Sequence, residues 1–491
     1  MSTHKNGILR VFSSAFALGS ARERNAGSRS SVGAWSALTL GLALTAGTAH
    51  AQTAPADATP PPAAQPAAVT APLTDQQMDQ VKKMVAAMPK IFEFDGYVRA
   101  GFSINAKGGD ADAFQAPGAY SKFRLGNEVE TYGELGLTAN WINPDHNDAW
   151  FKTKVKLALV APRNSTFDDL RTAPGDIAVR EAYGEAGHIV DSHPEMTFWA
   201  GQRFYRRRDS HIIDFFFNDM SGYGAGFQDM KVGDAAKLSV AYLGGSVENP
   251  PAPATGSDLG RLTKNTLDLR LSEIPAGPGQ LEFWLIPTLA LQGNNPPPLT
   301  QNHSGIGGGV FYFIPMLGGF NEVSASFGYN AAANLSSALD TSIVSGGWLF
   351  RLVDRGVFQL NPRTSMMISG VVQFDNRDGN PDGSTDSSLG NTWVSIGARP
   401  VFMMSKYTGI AVEGGADIVK PQTAGSSVGV LGKLTVAGLI RPANDFWARP
   451  EFRVFITTAA WNDTIKGQVG GTAFAGDTVG LTTGVQIESW W

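Results

Sequence analysis

The chain has 491 residues, of which 43% are hydrophobic and 17% charged, with a formal net charge of −5 and no cysteine. The lack of cysteine excludes disulfides, thiolate metal sites and thiol nucleophiles. The negative charge argues against a broadly basic nucleic-acid-binding protein. After residue 51, no apolar run is long enough for a transmembrane helix. We therefore expect no nucleic-acid partner, and we predict no metal and no cofactor.

Residues 1–51 have the pattern of a secretion signal. Basic residues precede an apolar run, which ends in a small-x-small cleavage site. The features are Lys5, Arg10, Arg22, Arg24 and Arg29, the run from Ala34 to Gly47, and the site Ala49-His50-Ala51. A membrane anchor is the alternative, but the run is short and ends in the cleavage pattern. We predict a signal peptide over 1–51.

The next two segments differ in composition. Residues 52–73 are rich in proline and alanine, which is typical of a semi-extended linker without a core. Thr74 and Gln77 then resemble a capping box, and apolar residues follow at helical spacing up to Pro89. This pattern predicts a short helix over 74–90, which is too short to be stable alone.

From residue 91 onward the hydrophobic period changes to two. Apolar and polar residues alternate in 92–103, 131–141, 447–456 and 479–491. Apolar-out, polar-in alternation between turn residues is typical of an outer-membrane barrel. A soluble β-sandwich alternates too, but the signal peptide and the terminal Trp491 favour a barrel over 91–491. A segment of about 400 residues suits roughly 16 or 18 strands.

Several segments rich in turn residues are too long for the short periplasmic turns of such a barrel. We expect most of them to be extracellular loops. They are 104–120, 161–176, 247–262, 292–305, 376–391 and 462–476.

One stretch, from Gly201 to Gly226, does not fit a strand or an amphipathic helix. It crowds four arginines, three aspartates and six aromatic rings into a short span. A soluble core could not bury these charges cheaply. A loop folded into an aqueous lumen resolves the conflict, because the charges stay in water and the rings remain available to a ligand.

The alternation also directs some aromatic side chains inward, towards the polar face of their strands. Rings facing a water-filled pore suit sugars, because flat aromatics stack on sugar faces while charged groups bond the hydroxyls. The alternative is that some of these rings belong to interface belts or pack against loops. The inward rings are Tyr97, Tyr132, Phe320, Trp447 and Trp490.

Five ordered stretches resemble the maltoporin-type family of sugar porins, over about 91–491. They are FDGYVRAGF (94–102), SKFRLGNEVETYGEL (121–135), RFYRRRDSHIIDFFFNDMSGYGAG (203–226), FWARPEFRVF (446–455) and QIESWW (486–491). The resemblance implies an all-β transmembrane barrel of 18 antiparallel strands, with long extracellular loops and the third loop folded into the lumen. It further implies a homotrimer in a Gram-negative outer membrane that passes oligosaccharides. Sucrose-type relatives also carry an N-terminal helical extension, which makes 74–90 a candidate periplasmic helix.

The resemblance also assigns roles to individual residues. The five inward rings match a helical aromatic slide, and Phe167 is the nearest candidate for a ring lent by a neighbouring subunit, although its spacing to Arg180 departs from the family. Phe216 stands where the family usually has a tyrosine, which predicts a narrow and more apolar constriction. The flanking polar track comprises Arg99, Arg124, Glu134, Arg180, Arg207 and Asp214, with Asp209 in the same charged loop.

Other functions have weaker support. Asp209-Ser210-His211 could form a relay in a barrel hydrolase, but no paired nucleophile motif appears. A non-selective porin remains a third interpretation. Residues 378–383 match half of a calcium loop, but position twelve is Leu389, so a plain turn is favoured. Glu181 breaks the alternation beside Arg180, which points to a strand at a subunit interface. We predict a channel and no enzyme.

Overall fold

The computed structural model describes residues 91–143, 145–161, 177–248, 261–291, 302–336, 347–376, 390–421 and 425–491. These residues belong to the compact unit Pro89–Trp491. The predicted signal peptide, linker and helix, together with Phe167 and the turn at 378–383, lie outside the described residues. None of the helical turns in the described ranges has the length and apolar character needed to cross a membrane.

Eighteen antiparallel strands pair in chain order, and the last strand pairs with the first, so the sheet closes into a barrel. Two further short strands, β6 and β7, form a separate hairpin. The strands are β1 Phe92–Asn105, β2 Thr131–Ile142, β3 Trp150–Ala161, β4 Ile177–Gly187, β5 Thr197–Arg203, β6 Arg208–Ser210, β7 Phe215–Asn218, β8 Gly222–Val232, β9 Ala236–Glu248, β10 Arg261–Ala276, β11 Gly279–Leu291, β12 His303–Met316, β13 Gly319–Asn330, β14 Trp348–Asn361, β15 Thr364–Asp375, β16 Asn391–Met403, β17 Thr408–Pro421, β18 Gly429–Ile440, β19 Glu451–Trp461 and β20 Val479–Trp490.

Side-chain exposure follows the predicted alternation. Phe94, Leu137 and Val454 are 66%, 44% and 65% exposed on the outer face. Thr138 and Gln486, on the opposite face of the same barrel wall, are buried. An apolar outside and a polar inside are what a barrel in lipid requires. The prediction of an 18-stranded transmembrane barrel is therefore confirmed.

Loop 3, residues 204–221, folds into the lumen. It contains the hairpin of β6 and β7 and a single 3-10 turn, His211–Ile213, between them. Ser210 Oγ lies 2.7 Å from Ser369 Oγ on the inner face of β15, and Arg270 Nη2 of β10 donates to Asn218 Oδ1 at 3.1 Å. These bonds attach the loop to two separate parts of the wall. The path of the loop into the lumen agrees with the prediction from the sequence.

Loop 1, residues 106–130, also lies inside the barrel, an inward path that the sequence did not predict for the segment 104–120. Residues 104 and 105 belong to β1. Leu125 N donates to Glu413 Oε1 at 3.0 Å, and Lys433 Nζ donates to Leu125 O at 2.6 Å. Phe114 and Phe123 are almost fully buried. The loop turns inward because it carries apolar side chains that need burial and because the wall offers partners for its backbone.

The two inward loops pack against each other. Arg124 N of loop 1 donates to Ile212 O of loop 3 at 3.0 Å. Ser121 Oγ donates to Ile213 O of the same turn. The lumen is therefore narrowed by two loops in contact.

A β-bulge explains the break in alternation at Arg180 and Glu181. Lys156 of β3 pairs with Glu181 while Leu157 pairs with Val179, so Arg180 is the extra residue. A bulge lets two consecutive side chains face the same side of a sheet. Both charged residues therefore face the lumen, and the break needs no subunit contact to account for it.

Candidate permeation path

Four of the predicted rings form one column in the lumen. Tyr132 and Tyr97 have ring centroids 5.9 Å apart, and Tyr97 lies nearly parallel to Trp490, with 6.3 Å between centroids. Trp490 in turn lies 6.4 Å from Trp447. The column connects β2, β1 and β20 with the turn before β19. The sequence prediction that these four rings lie inside the barrel agrees with their positions.

Trp447 reaches this column by a different route from the one that the sequence predicts. It is not on a strand, because β19 begins at Glu451 and residues 441–450 form a turn. Asp445 Oδ1 accepts a hydrogen bond from Trp447 N at 2.7 Å, and the buried Phe446 packs edge-on against the Trp447 ring. The turn therefore orients this ring, and strand parity does not.

Phe320 stands apart from the column. It stacks on Phe313 of the neighbouring β12, with 5.3 Å between centroids, and Arg355 Cζ lies 5.5 Å from its centroid. Within the described residues it has no ring contact with the other four. Phe313 was missed by sequence reasoning, although it shares the inward parity of Phe311 on the same strand.

The carboxylate of Glu488 organises the polar groups beside the column. It accepts hydrogen bonds from the Tyr97 hydroxyl at 2.9 Å, from Arg124 Nη2 at 2.9 Å and from Arg449 Nη2 at 2.8 Å. Arg453 donates to it as well. Its inward parity on β20 was readable from the sequence, but its partners were not, because they come from loop 1, β1, β19 and the turn before β19.

Arg99 and Arg124 converge on a second acid, Glu128 of loop 1. The Nη1 of Arg99 lies 2.7 Å and the Nε of Arg124 lies 2.8 Å from Glu128 Oε2. Burial alone would raise the pKa of Glu128, but the two guanidiniums outweigh burial and hold that pKa at about 2. Glu128 therefore stays charged, and loop 1 is fixed beside Tyr97.

Two titratable groups of loop 3 are shifted by their surroundings. Burial, assisted by the positive charge of Arg124, lowers the pKa of His211 well below its usual range. His211 is therefore neutral, and a ring nitrogen accepts from Arg124 Nη1 at 2.9 Å. Burial, assisted by the negative charge of Glu128, raises the pKa of Asp214 to about 6. Asp214 also has a left-handed backbone conformation, with φ 52°, which aspartate tolerates better than most residues.

Glu134 and Arg180 meet at the Tyr132 end of the column. The Tyr132 hydroxyl donates to Glu134 Oε1 at 2.5 Å. Lys156 Nζ lies 3.7 Å and Arg180 Nε lies 4.0 Å from the same carboxylate. The ring at this end of the column is therefore bordered by one acid and two cations.

Phe216, which the resemblance places at the constriction, is half-buried in β7. Its neighbours Phe215 and Phe217 are buried against the wall, since residues alternate along β7. The Arg207 guanidinium lies between two rings, with Cζ 4.1 Å from the centroid of Phe204 and 4.0 Å from that of Phe216. The stack therefore joins the start of loop 3 to its second short strand, β7.

Asp209 and its neighbours do not form a catalytic relay. The Asp209 carboxylate lies 3.9 Å from Arg355 Nη1, Ser210 Oγ pairs with Ser369, and the His211 ring pairs with Arg124. Each group is thus bonded to a separate partner. In the described ranges, no group of three or more His, Cys, Asp and Glu side chains is placed to hold a metal ion.

A closed barrel with an apolar exterior, a charged lumen and inward-folded loops defines an outer-membrane channel of a Gram-negative bacterium. Comparison with known families identifies it further. Residues 92–491 match the LamB porin family, and the chain belongs to that family.

Two solved structures that match much of this chain can also be named. One is the outer membrane channel DcaP of Acinetobacter baumannii, with TM-score 0.43 and 14% identity, covering 82% of this chain and 97% of that chain. Another is Salmonella typhi OmpF in complex with daunomycin, with TM-score 0.39 and 10% identity, covering 81% of this chain and 97% of that chain.

Proposed function

We propose that the protein conducts oligosaccharides through the outer membrane by passive, guided diffusion. The observation that carries this proposal is the unbroken column of Tyr132, Tyr97, Trp490 and Trp447, with neighbouring centroids 5.9 to 6.4 Å apart. The four rings are half-buried. Inside a polar channel their accessible faces offer the apolar faces of sugars a continuous surface.

The polar groups beside the column support the same function. Sugar hydroxyls exchange partners among Arg99, Arg124 and Glu134 as the sugar ring moves from one aromatic to the next. Arg180, Arg207, Asp209 and Asp214 extend this track around loop 3, and Phe320 continues the apolar surface on the other side. Each contact must be weak, or the sugar would not leave. No catalysis and no energy input are needed.

Blocking of the ion current through single channels in planar bilayers tests this function. Maltodextrins, sucrose and other oligosaccharides are added in turn, and we expect concentration-dependent interruptions of the current with at least one of them. A non-selective porin is the competing function, and it predicts no block by any sugar at concentrations where the bulk viscosity is unchanged.

A barrel hydrolase is less well supported, because the groups of Asp209, Ser210 and His211 bind separate partners. It predicts that Asp209→Asn or His211→Gln abolishes turnover of a sugar while the channel still conducts. We expect no turnover by the unmodified protein, measured as reducing ends released from the same oligosaccharides.

The assembly and the N-terminal segments also remain proposals. We infer a homotrimer, with Phe167 lent to the neighbouring channel, from the family resemblance. We infer processing after Ala51, a linker over 52–73 and a periplasmic helix over 74–90 from the sequence. N-terminal sequencing of the envelope protein tests the processing, and a mature protein that retains Trp35 contradicts it. Cross-linking in membranes tests the trimer, and monomers alone contradict it.

A further inference from the structure

Three arginines surround Phe204, the first residue of loop 3. Arg180 Cζ lies 5.2 Å and Arg207 Cζ lies 4.1 Å from the centroid of its ring. Arg203 Nε donates to the backbone oxygen of Phe204 at 3.4 Å. The bulge in β4 supplies Arg180, and the junction of β5 with loop 3 supplies the others. We call these four residues the Phe204 cluster.

The guanidinium groups of Arg180 and Arg207 keep their outer edges free. Asp219 Oδ2 contacts Arg207 through Nε, at 3.0 Å, and Glu134 Oε1 approaches Arg180 through Nε, at 4.0 Å. The terminal Nη atoms of both arginines make no hydrogen bond to any residue that the structure describes. These side chains are 32% and 23% exposed to the lumen. Two guanidinium forks are therefore open to a ligand.

Arg203 adds a charge that no acid offsets. Within the described part of the chain, no carboxylate oxygen lies within 4.0 Å of its guanidinium, and Nη1 is buried without a hydrogen-bond partner. The guanidinium packs instead on Tyr183 and Trp199, with Cζ 4.8 and 5.1 Å from their centroids. The three arginines therefore have two acids at salt-bridge distance, Asp219 and Glu134. A third acid, Glu181, accepts a hydrogen bond from Phe204 N at 3.1 Å and pairs with Lys154 at 3.4 Å. A fourth cation, Lys156, lies 5.8 Å from the Phe204 ring and is held by Asp95 at 2.6 Å.

The Phe204 cluster adjoins the aromatic column. The Tyr132 hydroxyl donates to Glu134, and the same carboxylate oxygen lies 4.0 Å from Arg180 Nε. A sugar ring lying on Tyr132 would therefore point its substituents towards Arg180. On the other side of the Arg207 guanidinium lies the half-buried ring of Phe216, with 4.0 Å between Cζ and the ring centroid.

We propose that the channel prefers acidic oligosaccharides, whose carboxylates bind Arg180 and Arg207 while their rings lie on the column. This proposal rests on the proposed function. A guanidinium fork matches a carboxylate in a planar, bidentate geometry. Hydrogen bonds between charged partners are roughly twice as strong as those between neutral groups. A neutral sugar can use the same donors, but it leaves the excess positive charge unbalanced.

The test compares three sugars that differ in charge. Trigalacturonate, its methyl ester and maltotriose are added to the full-length protein in planar bilayers at neutral pH and low salt. We expect trigalacturonate to block the current about tenfold more tightly than its methyl ester, which is the gain of one charge-assisted hydrogen-bond pair. The double variant Arg180→Gln, Arg207→Gln should reduce this ratio to about one.

Arg206→Gln is the matched control. It removes one positive charge from the same loop, but Arg206 binds Ser239 and Asp229 outside the cluster. This variant should keep most of the tenfold ratio. If the double variant does not insert as a heat-modifiable barrel, the single variants Arg180→Gln and Arg207→Gln replace it, and each should lower the ratio about threefold.

The outcomes separate this inference from the proposed function. Equal block by trigalacturonate and its ester overturns the preference for acidic sugars but leaves a sugar channel in place. Block by none of the three sugars or of the wider panel contradicts the proposed function itself. If Arg206→Gln lowers the ratio of block by trigalacturonate to block by its ester as fully as the double variant does, the total positive charge of the lumen causes the preference. In that case the Phe204 cluster is not the binding site.

Discussion

The ring of Phe123 in loop 1 lies directly on Gly415 of β17. A Cβ added at Gly415 would lie 2.0 Å from the Cζ atom of this ring, and one added at its cross-strand partner Gly397 would lie 2.1 Å from Cε1. Such contacts are far inside van der Waals distance. The two glycines therefore form a flat socket in the inner wall, and any side chain there would displace the ring.

Gly415→Ala should loosen loop 1. The overpacked ring must move, which costs about 1–3 kcal/mol. We expect larger and noisier single-channel currents, because a displaced loop 1 obstructs the lumen less uniformly. The measurement is the mean conductance and its variance in planar bilayers.

Gly438→Ala provides the control for this substitution. Gly438 lies on the neighbouring β18 and faces outward, and a Cβ there meets no atom within 4 Å. Its currents should match those of the unmodified protein. If Gly415→Ala also leaves the mean conductance and its variance unchanged, the packing of Phe123 on Gly415 does not hold loop 1 in the lumen.

Asp214 should make ion selectivity depend on pH. Its pKa is raised to about 6, so the carboxyl is neutral below that pH and negative above it. Cation permeability relative to anions should therefore rise as the pH increases through about 6, measured from reversal potentials in a salt gradient.

The raised pKa of Asp214 also makes its ionised carboxylate unfavourable in the folded state. Its cost to stability grows from the ordinary pKa of 3.8 up to about 6 and is constant above.

Asp214→Asn tests both parts of this prediction. The amide cannot ionise, so the step in selectivity near pH 6 should vanish. Above pH 6 the variant should also be more stable than the unmodified protein, while below pH 4 the difference should disappear. A step that persists in the variant assigns the titration to another group.

Trp490→Ala and Trp447→Ala should weaken sugar block and leave small-ion conductance largely intact. Each substitution removes one stacking surface, worth about 0.5–1.5 kcal/mol, or up to roughly tenfold in affinity. Trp141→Ala is the control, because Trp141 is 66% exposed on the outer face. Unchanged sugar affinity in both inward variants would count against the aromatic column as the sugar path.

Phe216 should set the width and polarity of the constriction. Phe216→Ala should raise ion conductance, because it removes the ring that extends from loop 3 into the lumen. Phe216→Tyr should leave conductance near that of the unmodified protein and tighten sugar block, since an added neutral hydrogen bond is worth about 0.5–1.5 kcal/mol. Unchanged conductance in Phe216→Ala would show that this residue does not line the narrowest part.

The wall of the barrel was predictable because its signal is local. Alternation of period two assigns outward and inward faces within a single strand, and the placement of Phe94, Leu137 and Glu488 follows from it directly. The inward path of loop 3 was predictable for a related reason. Its run of charges and rings fits neither lipid nor a dry core.

The inward path of loop 1 was not predictable in the same way, because its partners are distant in the chain. Leu125 and Glu413 are 288 residues apart, and the glycine socket at Gly415 gives no sign of its occupant. The only sign in the sequence that loop 1 turns inward was its apolar residues Phe123, Leu125 and Val129, which need burial. Trp447 lies beside Trp490 as predicted, but a turn and not strand parity orients its ring. The break in alternation at Arg180 is a β-bulge, which depends on the pairing with β3 and so could not be read from the strand alone.

The hydrogen bond from Tyr97 to Glu488 crosses the seam between β1 and β20, where the sheet closes on itself. Arg124 of loop 1 binds the same carboxylate. Loop 1 therefore binds a site formed by β1 and β20, and these two strands become neighbours only when the barrel closes. A chain whose first and last strands are unpaired cannot form this site. Closure of the wall and the fixing of loop 1 inside it are therefore coupled through one carboxylate.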